Sequence, residues 1–308
     1  MNACIGIPHL ASYLPECVDD VRSWGQRTGQ PAVTIDRLVR AGVHHYRNAG
    51  GQTAMSLAAR AIESLMSASA IAPDTINCLI YVHTLQGSVA PPPLSLPRLL
   101  CERFGFVNAD AFSFAQQHCA SALGALRIIR AMFTARPTMK RVLLVGADTM
   151  PLASDRLMGG VGLLGDGAFV ALIERDACTN RLLAVATHAS GHGWRGVLEN
   201  AEWPLDAEFF LVARRLITQV VNDAHYALPR IQRILPHHLD LPAWRQILES
   251  LWIPHEHLFT RNFSRIAHVS VSDAFINLAD CDDLIPNEPF LLYAQGVGGF
   301  SAAALLAR

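Results

Sequence analysis

Residues 115–126 read Ala115-Gln116-Gln117-His118-Cys119-Ala120-Ser121-Ala122-Leu123-Gly124-Ala125-Leu126, and this stretch decides how the rest of the 308-residue chain is read. The apolar run Ala111 to Phe114 gives way to a single cysteine and small residues. Leu123, Leu126, Ile129 and Met132 then follow at helical spacing. A thiol at the start of a helix lies in the field of unpaired backbone N–H groups, which favours thiolate and makes a nucleophile. A buried core cysteine fits the same segment, because free cysteine is among the most buried residue types.

Composition bounds what such a thiol serves. A hydrophobic fraction of 51% and a charged fraction of 17% describe a well-buried globular protein and exclude a disordered or fibrous chain. A net charge of −1 offers no basic excess for nucleic acid or for an anionic membrane surface. No apolar segment reaches the ~18 residues that suggest a membrane span. The N-terminus shows no basic region followed by an apolar run and a cleavage site, so a cytoplasmic enzyme is expected. Seven scattered cysteines without a C-x-x-C pair suit reduced thiols better than disulfides or zinc.

Outward from Cys119, helical and strand patterns alternate. Residues 53–70 and 94–104 read as helices, and 76–82, 141–145 and 167–174 as strands, whereas 16–52 reads as a mix of charges and glycines without clear elements. The second half repeats this order, with helices over 209–227 and 241–251, strands over 231–235 and 266–271, and a helix opening at Asp273. Strands alternating with helices give an α/β fold, and the repeat suggests a duplicated unit. If a pseudo-twofold axis relates the halves, Cys119 lies opposite His237 and His268, and a thiol would meet imidazoles distant in sequence.

Five stretches, in order, then resemble the β-ketoacyl-acyl-carrier-protein synthase III group of the thiolase superfamily. They are Ala72 to Asn77, Phe114 to Leu126, Gly165-Asp166-Gly167-Ala168, Pro236-His237-His238-Leu239-Asp240, and Gly296-Val297-Gly298-Gly299-Phe300. The resemblance implies a five-layered αβαβα fold of two duplicated halves, 1–176 and 177–308, in a homodimer. It implies Cys119 as nucleophile, His237 as catalytic histidine, and the N–H groups of Cys119 and Gly298 as an oxyanion hole. It also implies ping-pong acyl transfer from acyl-CoA or an acyl-carrier protein, with no bound cofactor or metal.

The chain departs from this pattern where the decarboxylating members carry Gly-Asn-Thr-Ser. Here Ala267-His268-Val269-Ser270 aligns, so His268 stands in the Asn position. An imidazole can take a proton near neutral pH, which suits transfer to an O, N or C acceptor without loss of carbon dioxide. Decarboxylative condensation with a malonyl thioester, a silent partner subunit and a thioester hydrolase are the alternatives. Asp273 could orient a histidine as a third triad member, although Ser272 and Asp273 also suit a helix cap, which is the favoured reading. Gln116, Gln117 and His118 replace small alanines, and no coenzyme A-binding residue is recognisable over 16–52, which points to specialised, secondary metabolism. Gly160 to Gly165 matches G-x-G-x-x-G, but a strand follows where a dinucleotide site needs a helix. His188 with His192, and His255 with His257, lack a third zinc ligand.

Overall fold

In the computed structural model the described residues are 4–84, 86–159, 161–190 and 207–308. The first part of the chain runs β1 (Ile5–Tyr13), β2 (Val18–Asp20), α1 (Val21–Thr28), α2 (Ala32–Arg40), β3 (His45–Arg47), α3 (Ala54–Ala68), β4 (Cys78–Val82), α4 (Leu96–Phe104), β5 (Asp110–Ser113) and α5 (Ser121–Ala135). Strands β6 (Arg141–Asp148), β7 (Leu157–Met158), β8 (Gly162–Leu163) and β9 (Gly167–Arg175) follow. The remainder is β10 (Arg181–Ala189), α6 (Ala207–Asp223), β11 (Arg233–Leu235), α7 (Leu241–Ser250), α8 (Phe263–Ile266), α9 (Asp273–Asp280), β12 (Pro289–Gly296) and β13 (Phe300–Ala307).

The period-2 alternation of the strands builds the layers. On β4, Leu79 and Tyr81 pack with α3 and α4, while Ile80 and Val82 turn the other way, onto α5 and α9. On β12, Phe290 and Leu292 face that same central helical layer, whereas Leu291 and Tyr293 face α6 and α7. The succession is helices, sheet, helices, sheet, helices. Strands buried on both faces read as continuous apolar runs, as Cys78 to Val82 does.

The first sheet has the order β1-β9-β6-β4-β5, and the second β10-β13-β12-β11. In each, the outer pairs (β1 with β9, β10 with β13) are antiparallel, as are the next pairs (β9 with β6, β13 with β12). The following pairs, β6 with β4 and β12 with β11, are parallel. A single parallel bridge, Ile234 to Leu258, stands where the first sheet has β5. The second sheet therefore repeats the order and directions of the first.

Two sequence expectations are corrected. Residues 16–52 contain α1 and α2: Asp20 Oδ1 accepts from the Arg22 and Ser23 N–H groups, both at 2.9 Å, and Gly29 ends α1 in the left-handed region. Their apolar faces, Trp24, Ile35 and Leu38, close over Leu163 and Ala267. Residues 266–271 form no strand, because Ala267 and Ser270 have φ of 57° and 48° and break the extended run. His268 retains only a bridge to Leu164.

Candidate active site

Cys119 lies where β5 ends. The Phe114 N–H donates to Tyr81 O, and a 3₁₀ turn, His118–Ala120, leads into α5. His118 takes φ 49°, a conformation that costs a non-glycine residue of order 1 kcal/mol or more and is typical of functional turns. The Gln117 side chain folds over α5, where its Oε1 lies 2.0 Å from the position a Cβ would take at Gly124. Cys119 itself is 1% exposed.

His268 is held opposite by the Gly165-Asp166-Gly167 turn. Its N–H donates to Leu163 O at 3.0 Å, and its carbonyl accepts from the Gly165 N–H at 2.8 Å. A Cβ at Gly165 would stand 2.4 Å from Ile266 O, so only glycine admits this approach. The turn is anchored by the buried Asp166, which pairs with Arg156 at 2.8 Å and accepts from the Ala49 and Met150 N–H groups.

Three side chains then form one line. His268 Nε2 lies 3.3 Å from Cys119 Sγ, and His268 Nδ1–H donates to Asp273 Oδ2 at 2.5 Å. Asp273 also accepts from the His238 N–H at 2.7 Å and the Val269 N–H at 2.6 Å. Burial opposes the Asp273 charge, but its contacts with the His238 and His268 rings outweigh that and hold Asp273 well below the usual carboxylate range. Burial likewise works against the His268 imidazolium, and the negative charges of Asp273 and Cys119 outweigh it, raising His268 to about 10. Asp273 is thus no simple helix cap: its carboxylate is spent on His268 and the His238 and Val269 amides.

His237 lies two residues past the end of β11. Its ring is fully buried among Phe209, Trp244 and Tyr293, with centroids at 5.6, 5.4 and 5.8 Å. It stands 6.3 Å from the His268 ring, and neither of its nitrogens has a hydrogen-bond partner among the described residues. Burial, reinforced by the positive charge of His268, lowers it to about 3, so it is neutral at physiological pH. The imidazole that meets the thiol is His268, and His237 is its apolar-walled neighbour.

Gly298, with φ 85°, is at the tip of the hairpin joining β12 and β13. This hairpin rests on the nucleophile turn so closely that a Cβ at Gly296 would lie 2.2 Å from Gln117 O. One contact went unread in the sequence: Thr84 Oγ1 donates to Cys119 Sγ at 3.4 Å, and its N–H is held by the Asp148 carboxylate at 2.9 and 3.1 Å. The available signal was position, since Thr84 lies just past the carboxyl end of a parallel strand, where α/β sheets gather their sites.

Three histidines away from this line have partners of their own. His188 Nδ1 meets the Arg215 guanidinium, His257 Nδ1 lies 2.6 Å from Ile231 O, and His255 pairs with Glu249 at 3.2 Å. Gly160 and His192 lie outside the described residues. Past Gly162 the chain enters β9 rather than a helix. Among the described residues no helix is long and apolar enough to cross a membrane.

The family model of 3-oxoacyl-[acyl-carrier-protein (ACP)] synthase III matches residues 115–191. None of the curated proteins compared matches the chain by sequence. Among solved structures it is similar to ChlB3, described as an acyltransferase, with 18% identity and a TM-score of 0.85 over 99% of this chain and 97% of that one. The synthase III of Aquifex aeolicus is 20% identical, with a TM-score of 0.84 over 99% of this chain and all of the other. FabH of Pseudomonas aeruginosa is 18% identical, with a TM-score of 0.82 over 99% and 98%. The nucleophile segment is thus matched by the synthase III family model, and the layered fold is shared with these structures along the length of the chain.

Proposed function

We propose that this protein is a thiol-dependent acyltransferase of specialised metabolism, carrying an acyl group on Cys119 between a coenzyme A or carrier-protein thioester and an O, N or C acceptor. The observation that carries this reading is the line Cys119–His268–Asp273, which puts a proton-carrying imidazole where a condensing enzyme would place an amide. Residues 1–176 supply the nucleophile and 177–308 the base, in a homodimer.

In the resting pair His268 carries the proton and Cys119 the negative charge. The thiolate attacks the donor carbonyl, and the N–H groups of Cys119 and Gly298 hold the oxyanion. Collapse breaks the donor's carbon–sulfur bond, and the donor thiol leaves with the proton from His268 Nε2. The charge beside His268 is then gone, so its neutral ring is free to take the acceptor's proton as the acceptor attacks. Collapse of this second intermediate transfers the acyl group and restores the ion pair. No carbon dioxide is lost, and His237 handles no proton.

Incubation with a panel of acyl-CoAs and acyl-carrier proteins, read by intact mass, is expected to give an adduct that is absent in Cys119→Ala and that an acceptor discharges. Carbon dioxide release from malonyl donors would overturn the non-decarboxylating reading. An adduct that decays in buffer alone would mark a hydrolase, and no adduct with any donor a silent subunit.

A further inference from the structure

His238 lies behind the triad, fully buried, and its two ring nitrogens face only oxygens. Nδ1 lies 2.7 Å from Ala267 O and 3.1 Å from Asp273 Oδ1, and Nε2 lies 2.8 Å from Asn277 Oδ1. The orientation of the Asn277 amide is fixed by its surroundings. Its Nδ2 donates to Pro236 O at 2.8 Å, and a carbonyl can only accept, so Oδ1 must be the atom that faces the ring. Asn262 confirms that assignment from the other side. Its Nδ2 donates to Asn277 Oδ1 and to Asp280 Oδ2, both at 2.9 Å, and its own Oδ1 accepts from Arg265 Nε and Nη2 at 3.0 and 2.8 Å.

A neutral imidazole has one N–H and one lone pair. Whichever tautomer it took here, a lone pair would confront an oxygen at hydrogen-bond distance in a site closed to water. A ring carrying both protons satisfies both contacts. We infer that His238 is a permanent imidazolium and a positioning residue of the site, extending the line to Cys119–His268–Asp273–His238. It touches neither thiol nor substrate. Its ring N–H groups anchor it to Ala267 O and Asn277 Oδ1, and its charge, 3.1 Å from Asp273 Oδ1, keeps that carboxylate ionised and aimed at His268.

The inference rests on the triad reading above and adds a charge count to it. Thiolate and carboxylate balance two imidazolium rings, so the buried cluster is neutral as a whole, which lowers the cost of closing it off from water. The titratable groups around His238 are Asp273 on α9, His268 beyond it, the neutral His237 next in sequence, and Asp240 two residues on. Asp280 and Arg265 are reached through Asn262. Among the described residues only Asp273 forms an ion pair with the ring directly. Without the His238 charge the cluster would carry a net negative charge, and Cys119 would hold its proton to higher pH.

Two measurements test this, and neither needs an acyl donor, so failure of the proposed reaction would leave their outcome intact. In wild-type protein labelled with ¹⁵N-histidine, both ring nitrogens of His238, assigned by through-bond correlation, are expected to carry protons between about pH 6 and 8, the range in which ordinary histidines lose one. A bare ring nitrogen at pH 7 would overturn the inference. In the second, Cys119 alkylation by iodoacetamide is followed against pH. The acid limb is expected to move up by about one pH unit in His238→Gln, a roughly tenfold slower alkylation on that limb. It should return toward wild type in His238→Lys, which restores the charge. A profile for His238→Gln that overlays wild type would also overturn it.

Discussion

Asp273 accepts from the backbone N–H groups of His238 and Val269 and the ring N–H of His268, and its Oδ1 lies 3.1 Å from His238 Nδ1. Such a carboxylate is ionised throughout the working range, and its stabilisation fades only in acid, as pH falls below the ordinary value of 3.8. His268 works in the opposite sense. Raised from 6.5 to about 10, it contributes fully below pH 6.5 and loses that contribution as pH climbs through 10. The melting temperature of the wild type is therefore expected to fall across this alkaline window, and the fall should be smaller in His268→Asn, whose amide does not titrate. Thermal denaturation of both proteins at matched pH values checks this. At this scale the sequence showed Cys119 and the unusual His268, because both sit in recognisable segments. It could not show that the His237 ring is walled in by Phe209, Trp244 and Tyr293, since those residues come from three separate elements.

Among the elements, the Gly165-Asp166-Gly167 turn does the most positioning. Gly165→Ala would drive a Cβ into Ile266 O, a backbone atom that cannot step aside without moving His268. A loss of about 1–3 kcal/mol in stability is expected by urea denaturation, with slower Cys119 alkylation in the folded fraction. This turn was legible as a motif, yet its job was not. Other elements hid for physical reasons. The run Phe300-Ser301-Ala302-Ala303-Ala304-Leu305-Leu306-Ala307 has a helix former's composition, but β10 and β12 on either side fix it as a strand. Residues 266–271 look extended because they are apolar, and two positive φ values that sequence does not reveal turn them into the loop that presents His268.

Across the whole molecule, the central helical layer joins the two sheets. Phe275 of α9 stacks on Phe169 of β9 with centroids 4.2 Å apart and planes within 7°, both rings fully buried. Phe275→Ala should cost about 3–5 kcal/mol by equilibrium denaturation, and Cys119 reactivity should suffer with it because α9 carries Asp273. The repeated order of helices and strands was readable along the chain, since alternating patterns survive divergence. The strand directions and the missing fifth strand of the second sheet were not, because pairing is a long-range property that local pattern does not encode.

The separation of thiol and base also bears on synthesis. Cys119 and His268 stand 149 residues apart, on opposite sides of the passage from the first sheet to the second. A chain made from its N-terminus presents the cysteine many seconds before the imidazole exists, at translation rates of about 5–20 residues per second. During that interval the thiol lacks its proton acceptor and behaves as an ordinary side chain. The thiol gains its proton acceptor only when the segment leading into α9 packs against the nucleophile turn, so the order in which the halves are made sets when Cys119 can be activated.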